Sequence, residues 1–554
     1  MIASSRSNEK AHGAPESDKS RFGSAAVLRA FIFDMDGVVT NTAVAHFTCW
    51  KEVFDGLLRS RSGDDFVGDD FRDDAPGGDN LGAFTRRDYL DHVDGIPRLA
   101  GIRAFLESRE IDLPEGEEGD RTPATVRGLG FLKNQCFDRW LAQNEVPTFE
   151  DTRALIDVLK ANGVTVGIFS ASRNANRVIE SAGLGGFFDA IVSGDDAEEQ
   201  NLAAKPDPAM LVETARQLGI EPRETAVVED ALAGVEAGSR GRFALTVGIN
   251  RQEDHADSQR HALRAHGADL VVRDLRRLLT ADGSGLRTVG NLPAVWDRQD
   301  ELVSQIGSRP LAVFLDYDGT LTPIVRNHRK AHISDKMVEA VAQLAEQCPT
   351  AIISGRDLDD VRDRVGLDSV FYAGSHGFDI AGPGGLKMRP EGAEKFLRPI
   401  AEAEQDLRRA IEGIDGAEVE RKTFSIAVHF RNAAEEDVER LESAVDEVVG
   451  RHADLRRSRG KKVLQVEPRA EWNKGKAIEW LLANTRLGER DALPLYIGDD
   501  ITDEDAFAAL ADDGISIVVK DGGYITTADY ALENSADVGR FLVWLSECVE
   551  KQAR

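Results

Sequence analysis

The stretch VFLDYDGTL (residues 313–321) places Asp316 and Asp318 directly after a run of apolar residues. A second copy of the pattern, FIFDMDGVV (residues 31–39), lies in the other half of the chain. In an open α/β sheet, ligands bind at the carboxyl ends of the strands. Two carboxylates delivered to such an end are suited to hold a divalent cation and to attack a phosphate. The sequence therefore predicts two phosphoryl-transfer sites.

The overall composition narrows the class of protein. A chain of 554 residues is long enough for more than one domain. Its 68 basic and 97 acidic residues give a net charge of −29, which argues against nucleic acid or an anionic membrane as a partner. The four cysteines match no metal-ligand spacing, which indicates reduced thiols and a cytoplasmic location. No apolar run has the length of a membrane span, and residues 1–24 are expected to be a disordered tail.

Both halves alternate short apolar segments with helical patterns, which predicts parallel sheets built from βαβ units. The strand-like segments are AVLRAFIFDMD, TVGIFSAS and TAVVED in the first half, and LAVFLDYD, TAIISGR and LPLYIGDD in the second. We expect a first domain over 25–277, a linker over 278–307 and a second domain over 308–550. Two acidic stretches rich in Gly or Pro, 62–80 and 112–125, are predicted to be surface insertions.

The first half contains, in order, the groups that an aspartyl-phosphate mechanism needs. A carboxylate must attack phosphorus, and a hydroxyl and an ammonium must hold the phosphoryl oxygens. Further acids must complete a Mg²⁺ site. The candidates are Asp34 as nucleophile, Asp36 as general acid and base, Ser170, Lys205, and the metal ligands Asp34, Asp36, Glu229 and Asp230. A set of unrelated polar residues at strand ends is the alternative, which is disfavoured by the resemblance described next, because the groups follow one another in the order of that superfamily.

This set resembles the motifs of the haloacid dehalogenase superfamily. DGVVTNTAVAH, FSASRN and KPDP resemble β-phosphoglucomutase, and the likeness extends over about 27–275. It implies a helical cap over about 45–150. It also implies that four residues contact the substrate or gate the phosphoaspartate, namely His46, Arg98, Lys133 and Asn134. Asn41 and Asp94 depart from the family pattern, so mutase and phosphatase chemistry both stay open.

The second half repeats the constellation with a different spacing. Its candidates are Asp316 as nucleophile, Asp318 as general acid and base, Ser354, Lys474, and the metal ligands Asp316, Asp318, Asp499 and Asp503. The carboxylates of IGDDITDED crowd like charges after a strand end, and a cation such as Mg²⁺ would neutralise them. The longest gap now follows Ser354, which predicts a cap over about 378–460. The alternation in TFSIAVHFR predicts a half-buried strand there, hence an α/β cap.

DYDGTLTPI, SGRDL, AGSHGFDI, VERKTFSIAVHFR, NKGKA and GDDITDEDAF together resemble trehalose-6-phosphate phosphatases over about 308–548. The resemblance implies two haloacid dehalogenase-like Rossmannoid domains. It also implies that the second half hydrolyses trehalose 6-phosphate with Mg²⁺ through an aspartyl phosphate. The residues implied to contact the substrate are Arg356, His376, Glu420 and Lys422. Asp379 stands where the family commonly has Glu.

Three hypotheses stay open at this point, because fold does not fix function. The chain is a bifunctional enzyme, or its first half is a regulatory module, or its second half acts on another sugar phosphate such as a sucrose or glucosylglycerol phosphate. The complete catalytic set in the first half argues against a non-catalytic module. The expected partners are small sugar phosphates, and the sequence does not indicate an oligomeric state.

Overall fold

Two largely parallel β-sheets, one in each half of the chain, form the frame of the protein. The structure is a computed structural model, and it describes residues 28–62, 82–93, 98–252, 256–325, 331–460 and 463–553. The tail expected at 1–24 lies outside the described residues, as does almost all of the stretch at 62–80. The stretch at 112–125 consists of turns and irregular chain whose residues are mostly exposed.

Six strands of the first half form one parallel sheet. They are β1 (Ala30–Asp34), β2 (Thr165–Phe169), β3 (Ala190–Val192), β4 (Thr225–Glu229), β5 (Leu245–Ile249) and β6 (Leu270–Val272). Their order is β3-β2-β1-β4-β5-β6. Every residue of the central strands β1 and β4 is buried, and strands covered on both faces have continuous apolar sequences. Asp34 and Glu229 therefore leave the sheet side by side.

Ten helices belong to the described part of this half. They are α1 (Ala43–Ser62), α2 (Arg86–His92), α3 (Arg98–Ser108), α4 (Val126–Gln143), α5 (Glu150–Ala161), α6 (Ala175–Ser181), α7 (Gly194–Glu199), α8 (Ala209–Leu218), α9 (Leu232–Arg240) and α10 (Ala256–Ala265). The first four form a helical cap, whose core includes Trp50, Phe54 and Phe105. The others connect the strands of the sheet.

The second half contains a larger sheet and a separate cap sheet. Its strands are β7 (Leu311–Leu315), β8 (Thr350–Ile353), β9 (Phe371–Gly374), β10 (Asp379–Gly382), β11 (Leu386–Met388), β12 (Glu418–Arg421), β13 (Ile426–His429), β14 (Leu455–Gly460), β15 (Val463–Pro468), β16 (Leu493–Gly498), β17 (Ile515–Val519) and β18 (Tyr530–Leu532). The larger sheet has the order β11-β10-β9-β8-β7-β16-β17-β18. It is parallel except at β10 and β11. These two strands lie within the range expected for the cap, and yet they extend the larger sheet.

The cap sheet is antiparallel, in the order β12-β13-β15-β14. The helices of this half are α11 (Gln299–Ile306), α12 (Asp335–Gln347), α13 (Leu358–Val365), α14 (Leu397–Ala410), α15 (Glu435–Gly450), α16 (Lys474–Asn484), α17 (Glu504–Leu510) and α18 (Ser535–Ala553). Helices α14 and α15 share an apolar core with the cap sheet, through residues such as Leu407, Val428 and Leu441. The α/β class, with a helical cap in the first half and an α/β cap in the second, is confirmed; the domain bounds stay predictions.

The segment expected to link the halves packs on both of them: Leu279, near its start, is buried in the core of the first half, and later residues are buried in the second half. Val295 and Ile306 are buried in the core of the larger sheet, and Ala294 forms a parallel bridge with Ala531 of β18. Apolar residues at intervals along this segment, such as Val295, Leu302 and Ile306, are buried. None of the described helices is both long enough and apolar enough to cross a membrane. All four cysteines are free thiols.

Candidate active sites

In the second half, a buried lysine joins the ends of three elements. Asp316 follows the central strand β7, and Lys474 is the first residue of α16. Its Nζ atom donates to Asp316 Oδ1 (2.7 Å) and to Asp503 Oδ1 (2.6 Å). Lys474 is 3% exposed, so water competes little for these bonds. The structure thus brings together the predicted nucleophile, the predicted ammonium and a predicted metal ligand.

The acidic residues beside this lysine form a compact group. Oxygen atoms of Asp316, Asp499 and Asp503 all lie within 4.8 Å of one another. Asp503 is fixed by the hydroxyl of Tyr496, which donates to Oδ1 (2.5 Å), and by the Asp499 amide, which donates to Oδ2 (2.9 Å). Three buried carboxylates face one ammonium, which leaves excess negative charge. Oxygen ligands with excess negative charge fit Mg²⁺.

The surroundings of Asp316 and Lys474 shift the pKa values of both side chains. Burial raises the pKa of Asp316 well above its usual range, and the nearby Asp503 and Asp499 raise it further. Burial alone would lower the pKa of Lys474, but the carboxylates of Asp316 and Asp503 outweigh it, so the pKa is raised. Lys474 therefore stays an ammonium. A cation beside Asp316 would favour its ionised, nucleophilic form.

The glycine of each Asp-x-Asp-Gly copy makes room for an acid. Gly319 has φ +88°, and a Cβ added there would lie 2.1 Å from Asp499 Oδ2. Gly37 has φ +89°, and its added Cβ would lie 2.0 Å from Asp230 Oδ2. Both positions favour glycine for its backbone conformation and for the close approach of a carboxylate. Asp230 thus occupies in the first half the place that Asp499 occupies in the second.

Asp318 pairs with Arg356 and lies outside the compact acidic group. The guanidinium donates from Nε to Oδ2 (2.7 Å) and from Nη2 to Oδ1 (2.6 Å). Its Nη1 atom donates to Asp360 Oδ2 (2.8 Å). The Asp318 side chain is 45% exposed, whereas that of Arg356 is 8% exposed. Asp318 is thus accessible to a substrate, and its role as a metal ligand stays a prediction.

His376 connects the core to the cap. It has a left-handed backbone (φ 57°), its amide donates to Ser354 O (2.9 Å), and its Nε2 atom lies 2.8 Å from Gln465 Oε1 on β15. Ser354 is itself 1% exposed, and its Oγ accepts from the Arg356 amide (3.1 Å). Burial lowers the pKa of His376 to about 4, and nearby Lys474 and Lys422 contribute. The imidazole is therefore neutral near pH 7.

The cap closes one side of a cavity of about 410 Å³. Lys422 reaches from the cap to the core, where its Nζ donates to Gly355 O (3.0 Å). Glu420 is 2.8 Å from His429 Nε2 within the cap. The cavity is lined by Asp316, Asp318, Arg356, His376, Glu420, Lys422, Lys474, Asp499 and Asp503, among others. Except for Ser354, every residue predicted for this site lines that space.

The first half contains a similar centre, in which a lysine bonds carboxylates at the ends of strands, but fewer carboxylates lie close to one another. Lys205 Nζ donates to Asp34 Oδ1 (2.5 Å) and to Glu229 Oε1 (2.5 Å). Burial raises the pKa of Asp34 to about 8, although Lys205 opposes this shift. Ser170 is 3% exposed at the end of β2. In the described part of this half, no three potential metal ligands lie as close as those of the second half.

The helical cap supplies cations to the first centre. Lys133 Nζ lies 2.7 Å from His46 Nδ1. Burial lowers the pKa of Lys133 to about 8, and Arg98 lowers it further. Burial likewise lowers the pKa of His46, and both cap cations contribute. Asn134 presents a buried Oδ1 atom without a hydrogen-bond partner. His46, Arg98 and Lys133 thus lie close together in the cap. The charges of Arg98 and Lys133 suit an anionic group.

Sequence reasoning missed several supporting residues. Tyr496 holds Asp503, Gln465 holds His376, Asp360 holds Arg356, and the hydroxyl of Thr42 donates to Asp36. Thr42 and Asp360 lie within four to six residues of their partners, so a local pattern was present. Gln465 is 89 residues from His376, and no local pattern indicates such a pairing.

The lowered pKa of His376 predicts an acid-dependent loss of stability. The unfolded chain binds a proton near pH 6.5 and the folded chain only near pH 4, so stability falls as the pH falls through this window. Asn tolerates a left-handed backbone and carries no titrating ring. We expect wild type to lose about 1 to 3 kcal/mol more than His376→Asn between about pH 7 and 4. Urea unfolding at both pH values measures this; equal losses would contradict it.

Comparison with protein families finds two matches in this chain. A model of the trehalose-phosphatase family matches residues 314–535, and a model of haloacid dehalogenase-like hydrolases matches residues 28–241. Among known proteins, the trehalose-phosphate phosphatase of Mycobacterium leprae is 36% identical over 403 residues, which cover 71% of this chain and 91% of that protein. The Mycobacterium tuberculosis enzyme of the same name is 39% identical over 331 residues, covering 59% and 82%.

The chain is also similar to a longer relative and to two solved structures. An uncharacterized glycosyl hydrolase of M. tuberculosis is 36% identical over 526 residues, covering 93% of this chain, which spans only 38% of that protein. The trehalose-6-phosphate phosphatase C-terminal domain of C. albicans is 24% identical, with a TM-score of 0.42, covering 46% of this chain and 99% of that one. β-Phosphoglucomutase from Clostridium difficile is 21% identical, with a TM-score of 0.33, covering 50% and 99%.

Proposed function

This chain belongs to the trehalose-phosphate phosphatase family, and we propose that its second half hydrolyses trehalose 6-phosphate to trehalose and inorganic phosphate. The observation that carries this proposal is the convergence of Asp316, Lys474 and Asp503 at one end of a cavity whose opposite wall is the cap. A phosphate can lie against the charged end while the sugar lies against the cap.

Magnesium fits the acidic group of this site. We assign Asp316, Asp499 and Asp503 as the residues that would hold it, and it would draw charge from the phosphoryl oxygens when bound. Asp318 in the second half, and Asp34, Asp36, Glu229 and Asp230 in the first, stay predicted ligands.

The chemistry follows from the positions of two aspartates. An Oδ atom of Asp316 attacks phosphorus, the bond from phosphorus to the sugar O6 breaks, and a proton passes from Asp318 to O6. Asp318 then takes a proton from water, whose oxygen attacks the aspartyl phosphate and releases Asp316. The ammonium of Lys474 offsets charge on the phosphoryl group throughout. Arg356 holds Asp318 between turnovers, and the substrate phosphate offers Arg356 another partner.

The cap side of the cavity carries the groups for the sugar. A volume of about 410 Å³ falls within the range of about 300–1,000 Å³ usual for small-molecule sites. Glu420 and Lys422 reach the cavity from the cap and offer an acceptor and a donor to sugar hydroxyls. His376, which is neutral near pH 7, can do either. Closure of the cap over the sugar would exclude bulk water.

A substrate panel tests the assignment. We expect phosphate release from trehalose 6-phosphate to exceed that from sucrose 6-phosphate or glucosylglycerol phosphate by about 100-fold in kcat/KM, because a site built to hydrogen-bond hydroxyls rejects sugars that leave its polar groups unpaired. Asp34→Asn serves as the control and keeps this preference. A preference for another sugar phosphate, or loss of the activity in Asp34→Asn, would assign the substrate or the site elsewhere.

We also propose that the first half is a second phosphoryl-transfer site, a sugar-phosphate mutase or phosphatase. The convergence of His46, Lys133 and Arg98 in its cap favours this, because cations there suit a second anionic group of the substrate. Converting β-glucose 1-phosphate with an Asp316→Asn protein, and losing that conversion in Asp34→Asn, would support it. No turnover of any sugar phosphate by this half would favour a regulatory role.

A further inference from the structure

Helix α10 of the first half docks onto the second half through three side chains. Arg260 forms an ion pair with Glu479, and His261 Nε2 lies 3.5 Å from the same carboxylate. Arg264 forms an ion pair with Asp505. Arg264 is only 8% exposed and the Asp505 side chain is equally covered. A buried ion pair tolerates little displacement, since a separated charge would be left without water or a partner.

The two acids that α10 contacts stand on the helices that supply the catalytic groups. Glu479 belongs to α16, which begins with Lys474. Asp505 belongs to α17, and it follows Asp503 by two residues. These helices also touch closely, because a Cβ added at Gly475 would lie 2.3 Å from the carbonyl oxygen of Asp505. Movement of either acid would therefore be transmitted to Lys474 and Asp503.

Arg264 also reaches the cap of the second half. Its carbonyl oxygen accepts from Arg456 Nη1 (2.8 Å), and Arg456 is on β14. Strand β14 pairs with β15, which carries the Gln465 that holds His376. A small cavity of about 60 Å³ lies between the halves here, lined by Arg264 and Arg456 and also by Lys474. Arg264, a residue of the first half, thus lies next to the core of the second half, the cap of the second half and Lys474.

We propose, on the basis of the phosphatase activity proposed above, that the first half positions the catalytic groups of the second. Helix α10 holds α16 and α17 from outside through Arg260, His261 and Arg264. With these contacts in place, Lys474 and Asp503 stay within reach of Asp316. Arg264 is a positioning residue, because its side chain bonds Asp505 and the Ala268 carbonyl oxygen (2.7 Å) and acts on the reaction through α17.

The interface also provides a matched control. Arg242 of the first half donates from Nη2 to Asp446 Oδ2 (2.8 Å) and to Ser443 Oγ (3.0 Å). Both partners are on α15 of the cap, away from α16 and α17. Replacing Arg242 removes a contact between the halves without removing one to the catalytic helices. The Arg242 variant therefore distinguishes the loss of any contact between the halves from the loss of contacts that position α16 and α17.

The test compares full-length proteins that all carry Asp34→Asn, so that only the second site turns over. Arg264→Met, Arg264→Lys and Arg242→Met are assayed with trehalose 6-phosphate and with p-nitrophenyl phosphate. We expect Arg264→Met to lower kcat about 10- to 100-fold on both substrates with little change in KM, since small misplacements of catalytic groups have effects of this size. Arg264→Lys should recover part of the loss. Arg242→Met should stay within about twofold of the parent protein.

Thermal melting shows whether each variant is folded at the assay temperature, and Arg260→Met replaces Arg264→Met if the latter is not. A folded Arg264→Met protein with an unchanged kcat, or equal losses in Arg264→Met and Arg242→Met, would overturn the proposal. Calorimetric titration with Mg²⁺ is the second measurement, with weaker binding expected in Arg264→Met alone. If the parent protein hydrolyses neither substrate, the proposed function fails, and the titration still decides whether Arg264 positions the acidic group.

Discussion

Asp316→Asn is expected to lower trehalose 6-phosphate hydrolysis by at least about 1,000-fold, because an amide cannot form the aspartyl phosphate. The variant should fold, since Lys474 keeps its bond to Asp503 (2.6 Å) when the charge of Asp316 is removed. Phosphate release in the presence of Mg²⁺ measures the effect. Asp34→Asn is the matched control, with the same substitution at the equivalent position of the first half, and its rate should stay within about twofold of wild type.

The same substitution has a predicted effect on stability. Burial and two neighbouring acids raise the pKa of Asp316, so its charge is costly when no cation is near. In the presence of a chelator, Asp316→Asn should therefore melt at the same temperature as wild type or higher. Mg²⁺ should then raise the melting temperature of wild type more than that of the variant, because binding to the folded state stabilises it. Full activity of Asp316→Asn, or an equal response to Mg²⁺, would contradict its assigned role.

The sequence was sufficient to predict the site residues that directly follow strands. Asp34, Asp316 and Asp499 each end a buried apolar run, and parallel strands bring such ends to one edge of a sheet. The change of cap type between the halves could also be predicted, because TFSIAVHFR has the period of a strand and became β13. These features depend on local periodicity, which a sequence displays directly.

Pairings between distant segments could not be predicted in this way. The bond between His376 and Gln465 and the ion pair between Arg264 and Asp505 join residues that are far apart in the chain. Their partners are chosen by the packing of whole elements, and neither residue type marks its partner. Strands β10 and β11 are a related case, since they fall in the range expected for the cap and yet extend the larger sheet, where β10 pairs with β9 and β11 with β10. Tertiary packing decides between such options.

Asp318→Asn is expected to separate the two chemical steps. The carboxyl group must protonate O6 in the first step and activate water in the second, so hydrolysis of trehalose 6-phosphate should fall about 100- to 10,000-fold. Mg²⁺ binding should persist, because Asp316, Asp499 and Asp503 are unchanged. Arg356 loses a charged partner but keeps Asp360 (2.8 Å), so the pocket should remain folded.

The choice of leaving group makes this prediction specific. p-Nitrophenolate leaves without protonation, so the first step should survive in Asp318→Asn while the second is slowed. A protein that also carries Asp34→Asn should then release one equivalent of p-nitrophenolate in a rapid burst, followed by slow turnover. Trehalose 6-phosphate should give no corresponding burst of trehalose, because its alkoxide leaving group needs the proton that the variant lacks. Absence of a burst with p-nitrophenyl phosphate would assign Asp318 to binding or folding, whereas a burst with both substrates would restrict it to the activation of water.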